Sequence, residues 1–140
     1  MSWFIYALLS ALFAAITAIL AKIGVSGINS NLATAIRTVV ILIFAWSIVF
    51  FQKSAHEITL ASKYTIFFLV LSGITTGLSW LFYFRALQLG EASKVVPIDK
   101  LSLVLTIILA VLLLKEKISW VGAIGAVLMT GGAILLTFVK

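Results

Sequence analysis

The residues of this sequence that could bind a polar solute or an ion are a few charged side chains within long apolar runs. The segment KVVPIDKLS, at residues 94–102, places a proline, an acid and a base at the head of one such run. Single cations occur in earlier apolar runs at Lys22, Arg37 and Arg85. A charge in apolar surroundings is costly unless it is paired or hydrated, so these positions are candidate contacts for a polar solute or ion.

The remaining polar residues argue against an enzyme. The only histidine, His56, stands beside Glu57 in a polar stretch, and we interpret it as a solvated loop residue. The sequence has no cysteine, and no other residue completes a metal-binding or nucleophilic site. It also lacks the glycine-rich signature of a nucleotide-binding P-loop. We therefore expect no enzymatic activity, no metal ion and no cofactor.

The composition requires a bilayer around these charges. Of 140 residues, 64% are hydrophobic and 10% are charged, against about 45–50% and about 25% in soluble domains. A soluble fold of this size could not bury so much apolar surface. The net charge is +6, but the ten Lys and Arg residues form no basic block, which argues against nucleic-acid binding. Such cations more often face membrane lipid headgroups, which are an expected partner.

Five stretches are long and apolar enough to cross a membrane as helices, since a span needs about 20 mostly apolar residues. Polar or glycine-bearing segments separate them and are too short for a soluble domain. The predicted fold class is therefore an all-α integral membrane protein, a five-transmembrane-helix bundle that forms a single domain over residues 1–140. The predicted helices are approximately 3–23, 32–51, 64–87, 95–114 and 118–139.

An odd number of spans places the two termini on opposite sides of the membrane. Two copies fused end to end would then be inverted relative to each other, an arrangement that recurs in secondary transporters. A single copy could reach the same arrangement as an antiparallel homodimer of ten helices. Orientation follows the Lys and Arg asymmetry between the two sides, and here dual topology is credible because the asymmetry is small. The N-terminal side has Lys53, Lys63, Lys115 and Lys117, and the other side has Lys22, Lys94 and Lys140 with the helix-end Arg37, Arg85 and Lys100.

Five charges are predicted to share one depth, on the side of the membrane opposite the N-terminus. They lie near the ends of the first and third helices and near the starts of the second and fourth, roughly 5–10 Å below the boundary. They are Lys22, Arg37, Arg85, Asp99 and Lys100. In one interpretation, Asp99 pairs with Arg85 and the other cations reach lipid headgroups. In the other, the layer is a hydrated vestibule that attracts anionic or zwitterionic solutes, with Asp99 gating or titrating.

Two features of the third and fourth helices leave alternatives open. Pro97 either kinks the fourth helix one turn after its start or begins that helix after an extended lead-in over residues 93–96. Trp80, Tyr83 and Phe84 follow the i, i+3, i+4 spacing of one helix face. They form either an apolar pocket wall for a small solute or ordinary packing between helices.

Small residues recur on the faces of three predicted helices, which lets helix backbones approach closely. They serve either packing within the chain or an interface between subunits. These residues are Ala7, Ala11, Ala14, Ala15 and Ala18 in the first helix, Gly73 and Gly77 in the third, and Gly122, Gly125, Gly131 and Gly132 in the fifth.

A turn and a helix end in the second half of the chain match a known pattern. The pattern is Ala-Leu-x-x-x-x-Ala-Ser followed by Leu-x-Glu, and it is matched by Ala86, Leu87, Ala92, Ser93, Leu114 and Glu116. In these features the chain resembles the EamA-like domain of the drug/metabolite transporter superfamily. That family commonly has a lysine in its first helix and an arginine in its second, where Lys22 and Arg37 fall here. The resemblance spans essentially the whole chain.

Most members of that family have ten helices in two inverted repeats, whereas this chain has one repeat. The segment PIDKLS, at residues 97–102, looks like the variant found in small five-helix bacterial and archaeal members. The usual ten-helix pattern has a proline near Ser102, and this chain lacks it. The resemblance implies a multi-pass protein of the cell inner (plasma) membrane.

The charge layer, the odd helix count and the resemblance together predict a secondary transporter or exporter of a small polar or charged metabolite. The metabolite is amino-acid-like or of another drug or metabolite class, and transport runs by alternating access. The alternative is a non-transporting membrane subunit that assembles with another half-size membrane protein. The residues predicted to line the substrate or ion pathway are Lys22, Arg37, Trp80, Tyr83, Arg85, Pro97, Asp99 and Lys100.

Overall fold

The computed structural model describes residues 3–138, and every regular element in that range is a helix. The predicted end of the last span at Val139, and Lys140, lie outside the described residues. The elements are α1 (Trp3–Gly24), α2 (Ser30–Phe51), a short 3₁₀ helix (Ala55–Thr59), α3 (Lys63–Leu89), α4 (Ala92–Asp99), α5 (Ser102–Leu113) and α6 (Trp120–Thr137).

Five helical segments of the described range are long and apolar enough to cross a membrane. The helices α1, α2, α3 and α6 each form one of these segments. The remaining segment, which is fourth in chain order, consists of α4 and α5 together, Ala92–Leu113. The prediction of an all-helical protein with five candidate membrane spans is therefore confirmed.

Polar side chains fix where two of these helices begin. Asn29 is the N-cap of α2, where its Oδ1 accepts hydrogen bonds from the backbone N–H groups of Asn31 (2.9 Å) and Leu32 (3.4 Å). Ser119 caps α6 in the same way, since its Oγ accepts from the N–H of Gly122 at 3.1 Å. The first turn of a helix has N–H groups without helical acceptors, so these caps set the start of each span.

The chain divides into two compact units. One, here called the central unit, is Leu20–Gln88, and the other, the terminal unit, contains residues up to Ile19 and from Leu89 onward. The core of the central unit lies where α1 ends, α2 begins and α3 ends. Its buried residues are Ala21, Val25, Ser30, Ala33, Thr34, Phe84 and Leu87. The central unit is therefore best packed at the end that carries Lys22, Arg37 and Arg85.

The terminal unit contains a break in its α4–α5 span. Both α4 and α5 pack against α6, and Pro97 lies inside α4. After Pro97 the backbone bonds change from the α-helical to the 3₁₀ pattern: the Lys100 N–H donates to the Val96 carbonyl, and the Leu101 N–H to that of Ile98. The extended lead-in considered for residues 93–96 is not found, because the chain is helical from Ala92. Proline has no N–H to donate to the carbonyl four residues earlier, which weakens the helix at this point.

The glycines of α3 and α6 are largely open in the single chain. A methyl group added at Gly73, Gly77, Gly125, Gly131 or Gly132 would meet no heavy atom within 4 Å outside its own helix surroundings. Only at Gly122 would it approach a side chain closely, that of Ile118 at 3.1 Å. Close packing among the described residues of each unit therefore does not account for the glycines at these five positions.

Candidate functional site: a cationic end of the central unit

Three cations from three helices lie at one end of the central unit, which we call the cationic end. Lys22 is in the last turn of α1, Arg37 is about two turns into α2, and Arg85 is about one turn before the end of α3. All three residues were predicted to belong to the solute pathway, and they are positioned by the best-buried part of the unit.

Lys22 connects α1 to the end of α3. Its Nζ donates a hydrogen bond of 2.6 Å to the backbone carbonyl of Leu87, a residue with 0% exposure. Carbonyls in the last turn of a helix have no helical donor and carry partial negative charge, so an ammonium group is a suitable partner. Lys22 therefore stabilises the junction of the two helices.

Arg37 is held by aromatic rings. The centre of its guanidinium group lies 5.0 Å from the ring centroid of Trp80 and 4.9 Å from that of Phe84. Both distances are within the range of cation–π attraction. Tyr83 lies beside Phe84 on the same helix, with the two ring centroids 6.1 Å apart. The aromatic face of α3, predicted as a pocket wall or as packing, thus holds the cation of the neighbouring helix.

Arg85 is hydrogen-bonded to Gln88, a residue that was not predicted to have a role. Its Nη1 donates to Oε1 of Gln88 at 2.6 Å. The Nε2 of Gln88 in turn donates to the backbone carbonyls of Ile28 (2.7 Å) and Val25 (3.4 Å). Gln88 therefore ties α3 to the loop between α1 and α2. The available signal was a polar residue three positions after Arg85, in the last turn of an apolar helix.

A surface pocket opens beside Arg85. Its volume is about 360 Å³, which lies within the size range of small-molecule sites. Amide and hydroxyl residues from the start of α2 line one side, and apolar residues of α3 line the other. The lining residues are Asn29, Ser30, Asn31, Leu81, Phe82 and Arg85.

The cationic end has no acidic counter-charge of its own. The only acid in the sequence of the central unit is Glu57, which lies in the 3₁₀ helix between α2 and α3 and so at the opposite end of those helices. The contacts of Arg37 and Arg85 within the unit are to aromatic rings and to an amide. The local charge is therefore positive and suited to an anionic group.

In the terminal unit, Asp99 at the end of α4 and the N-cap residue Glu91 each lie beside a lysine. Asp99 Oδ2 is 3.6 Å from Nζ of Lys100, and Glu91 Oε2 is 3.2 Å from Nζ of Lys94. Asp99 is the better buried of the two acids, with 36% of its side chain exposed against 71% for Glu91. The Asp99–Lys100 pair lies at the break that follows Pro97. A pair between Asp99 and Arg85, and a depth shared by all five charges, stay predictions.

A second surface pocket, of about 310 Å³, lies at the turn between α5 and α6. Polar contributions come from Thr106, Glu116 and Lys117. None of these three residues was predicted to line the solute pathway.

Comparison with known proteins identifies the family. Residues 1–138 match the EamA-like transporter family. The chain is also 50% identical over 135 residues, 96% of each chain, to a Sinorhizobium sp. protein named "Uncharacterized transporter in cobO 3'region". No solved structure matches the chain. With five candidate membrane spans and a match over nearly its whole length, this chain belongs to the EamA-like transporter family, a family of multi-pass membrane transporters rather than enzymes.

Proposed function

We propose that this transporter carries a small polar or charged metabolite by alternating access, and that it works as an antiparallel homodimer of ten helices. The observation that supports the proposal most is the cationic end, where Arg37 and Arg85 lie inside membrane-spanning helices with neutral partners.

The energetic reason is the cost of these charges in lipid. A charged side chain at the centre of a bilayer costs about 2.5–3.5 kcal/mol on insertion scales, and one nearer a helix end, as Arg37 and Arg85 are, costs less. No carboxylate at this end of the central unit offsets that cost. Water, or the anionic group of a solute, would lower it. A cationic end that is open to water and to a polar solute is therefore more favourable than a dry one.

The pocket beside Arg85 supports the size class of the solute. A volume of about 360 Å³ suits a small metabolite rather than a polymer. Its lining combines an arginine with amide and hydroxyl groups, which can hydrogen-bond to polar groups of a solute.

The odd number of spans and the open glycines support the antiparallel dimer. Two copies in opposite orientations reproduce the inverted-repeat arrangement that places a solute site between two halves. Glycines such as Gly73 and Gly77, which have no close neighbour within the chain, allow a helix of a second copy to approach.

Reporter fusions at the C-terminal Lys140 test the orientation. We expect activity from a cytoplasm-only reporter and from a reporter active only outside the cytoplasm, because both orientations are inserted. Activity on one side alone would contradict the antiparallel homodimer.

The sequence has no nucleotide-binding loop, so the energy source proposed is an ion gradient or the gradient of the solute itself. The test is solute flux into proteoliposomes, with labelled amino acids, organic acids, sugar phosphates and nucleosides offered with and without a pH gradient. We expect at least one solute to enter faster than into protein-free liposomes. No flux of any of these solutes would contradict the proposal.

A further inference from the structure

We propose that the guanidinium group of Arg37, flanked by Trp80 and Phe84, is an oxyanion receptor that binds a carboxylate or phosphate group. This inference rests on the proposed transport function and adds the chemical class of the solute. It also separates the roles of the three cations at the cationic end.

The contacts of Arg37 hold its guanidinium group but use none of its hydrogen-bond donors. Within the described central unit its guanidinium group lies over the rings of Trp80 and Phe84 and donates no hydrogen bond. An aromatic ring fixes a cation but offers no oxygen acceptor. Arginine has five N–H donors in a rigid fork. The guanidinium group of Arg37 is thus held in place while its N–H groups donate no hydrogen bond to an oxygen of this unit.

The other two cations of the cationic end make contacts that stabilise the fold. Lys22 donates to the Leu87 carbonyl at the junction of α1 and α3. Arg85 donates to Gln88, which holds the loop between α1 and α2. Both contacts maintain the fold of the cationic end, whereas the contacts of Arg37 serve to position its donors.

Arg37 has no acidic counter-charge at its end of the central unit. The half-buried Arg37 lies in a membrane span, and the only acid in the central unit is Glu57 at the other end. A planar oxyanion supplies the missing charge and can accept two parallel hydrogen bonds from a guanidinium group. The fork therefore favours carboxylates and phosphates over cationic or neutral solutes.

Two sources could supply that oxyanion, a dissolved solute and a phospholipid headgroup. Both present the same chemistry to the fork, so the experiment needs a separate arm for each. Trp80 provides the reporter, because its ring lies 5.0 Å from the charge that would be neutralised.

The experiment uses the full chain in maltoside micelles, with Trp3, Trp46 and Trp120 replaced by phenylalanine so that only Trp80 emits. Succinate and inorganic phosphate are titrated at constant ionic strength, with neutral succinamide and sodium chloride as controls. The titrations are repeated with Arg37→Gln, with Arg37→Lys, and with Lys63→Gln as the matched charge control at the other end of α3. A further arm adds phosphatidylglycerol to the micelles.

The expected result is a saturable change in Trp80 emission with succinate or phosphate and none with succinamide. Arg37→Gln should abolish the change. Arg37→Lys, which keeps the charge but loses the fork, should weaken binding by about tenfold or more. Lys63→Gln should leave the affinity within about twofold. Circular dichroism and size-exclusion profiles like those of the parent would show that each variant is folded.

Several outcomes would overturn the inference. These are no saturable change with either oxyanion, or the same affinity in Arg37→Gln as in the parent. An Arg37-dependent response to phosphatidylglycerol alone would assign the fork to a headgroup and overturn the solute receptor. Binding is measured here without flux. If proteoliposomes transport a solute independently of Arg37, the Arg37 receptor is contradicted and the transport proposal stands. If the protein binds oxyanions through Arg37 but transports no solute, the receptor stands and the transport proposal is contradicted.

Discussion

At the scale of residues, the cations of the cationic end differ in what holds them. Lys22 meets a helix carbonyl, Arg85 meets the amide of Gln88, and Arg37 meets two aromatic rings. A substitution at each should therefore have a different consequence. Loss of Lys22 should mainly weaken the fold, loss of Arg37 should mainly weaken binding, and loss of Arg85, which also lines the surface pocket, should weaken both.

The two acids at the ends of α4 give a matched pair for testing Asp99. Each lies within 4 Å of a neighbouring lysine, but Asp99 is better buried and stands at the break in the span. We expect Asp99→Asn to lower the initial rate of solute flux at least about tenfold. Glu91→Gln should lower it less than about twofold, because Glu91 is mostly exposed. Equal rates in the two variants would remove any special role for Asp99.

Gln88 should control the order of the loop between α1 and α2. The variant Gln88→Leu has a similar volume but cannot donate to the carbonyls of Val25 and Ile28. Each lost hydrogen bond removes about 0.5–1.5 kcal/mol, so amide hydrogen exchange over residues 25–31 should become about tenfold faster. Amides in α6 should serve as the internal control. Unchanged exchange in the loop would show that Gln88 does not hold it.

Part of the cationic end could be predicted from the sequence alone. Charged residues in apolar runs are conspicuous, so Lys22, Arg37 and Arg85 could be found from their positions. The spacing of Trp80 and Phe84 predicts a shared helix face. It could not predict that Arg37 of another helix lies over that face, since this depends on how α2 and α3 pack. Gln88 was missed because a polar residue near a helix end is common, and the Leu87 carbonyl has no side-chain signal.

At the scale of elements, the main departure from the sequence prediction is the break in the fourth span. Its apolar run predicts one helix over residues 95–114, whereas the structure has α4 and α5 with Lys100 and Leu101 between them. The boundary was hard to predict because Pro97 can begin a helix or interrupt one, depending on the residues before it. The residues on both sides of Pro97 are helical here, and the break lies three residues after it, at Lys100 and Leu101.

Replacing Pro97 tests whether the break matters for transport. Pro97→Ala restores an N–H group that can donate to the carbonyl of Ser93 and removes the ring from the turn before the break, so the helix should become more regular across residues 92–103. We expect slower amide exchange over residues 98–103 and a fall of about tenfold in solute flux. Val95→Ala provides the control for an alanine in α4 without the new N–H group. Normal flux in a straightened helix would show that transport does not need the break.

At the scale of the whole molecule, the composition and the five apolar runs were sufficient to predict a multi-pass all-helical protein. Membership of a transporter family follows from the match over residues 1–138. Neither property says how a single five-helix chain moves a solute. Alternating access requires a carrier that exposes its site to one side at a time, so influx and efflux of solute are coupled through the same site.

Solute counterflow in proteoliposomes measures this coupling most directly. Vesicles are loaded with a high concentration of an unlabelled solute that passed the flux test, and a trace of the labelled solute is added outside without any ion gradient. The account predicts that label accumulates transiently above its equilibrium level, because carriers returning from the inside bring external label with them. Arrival of label at equilibrium without an overshoot, at a rate independent of the internal solute, would contradict a carrier that works by alternating access.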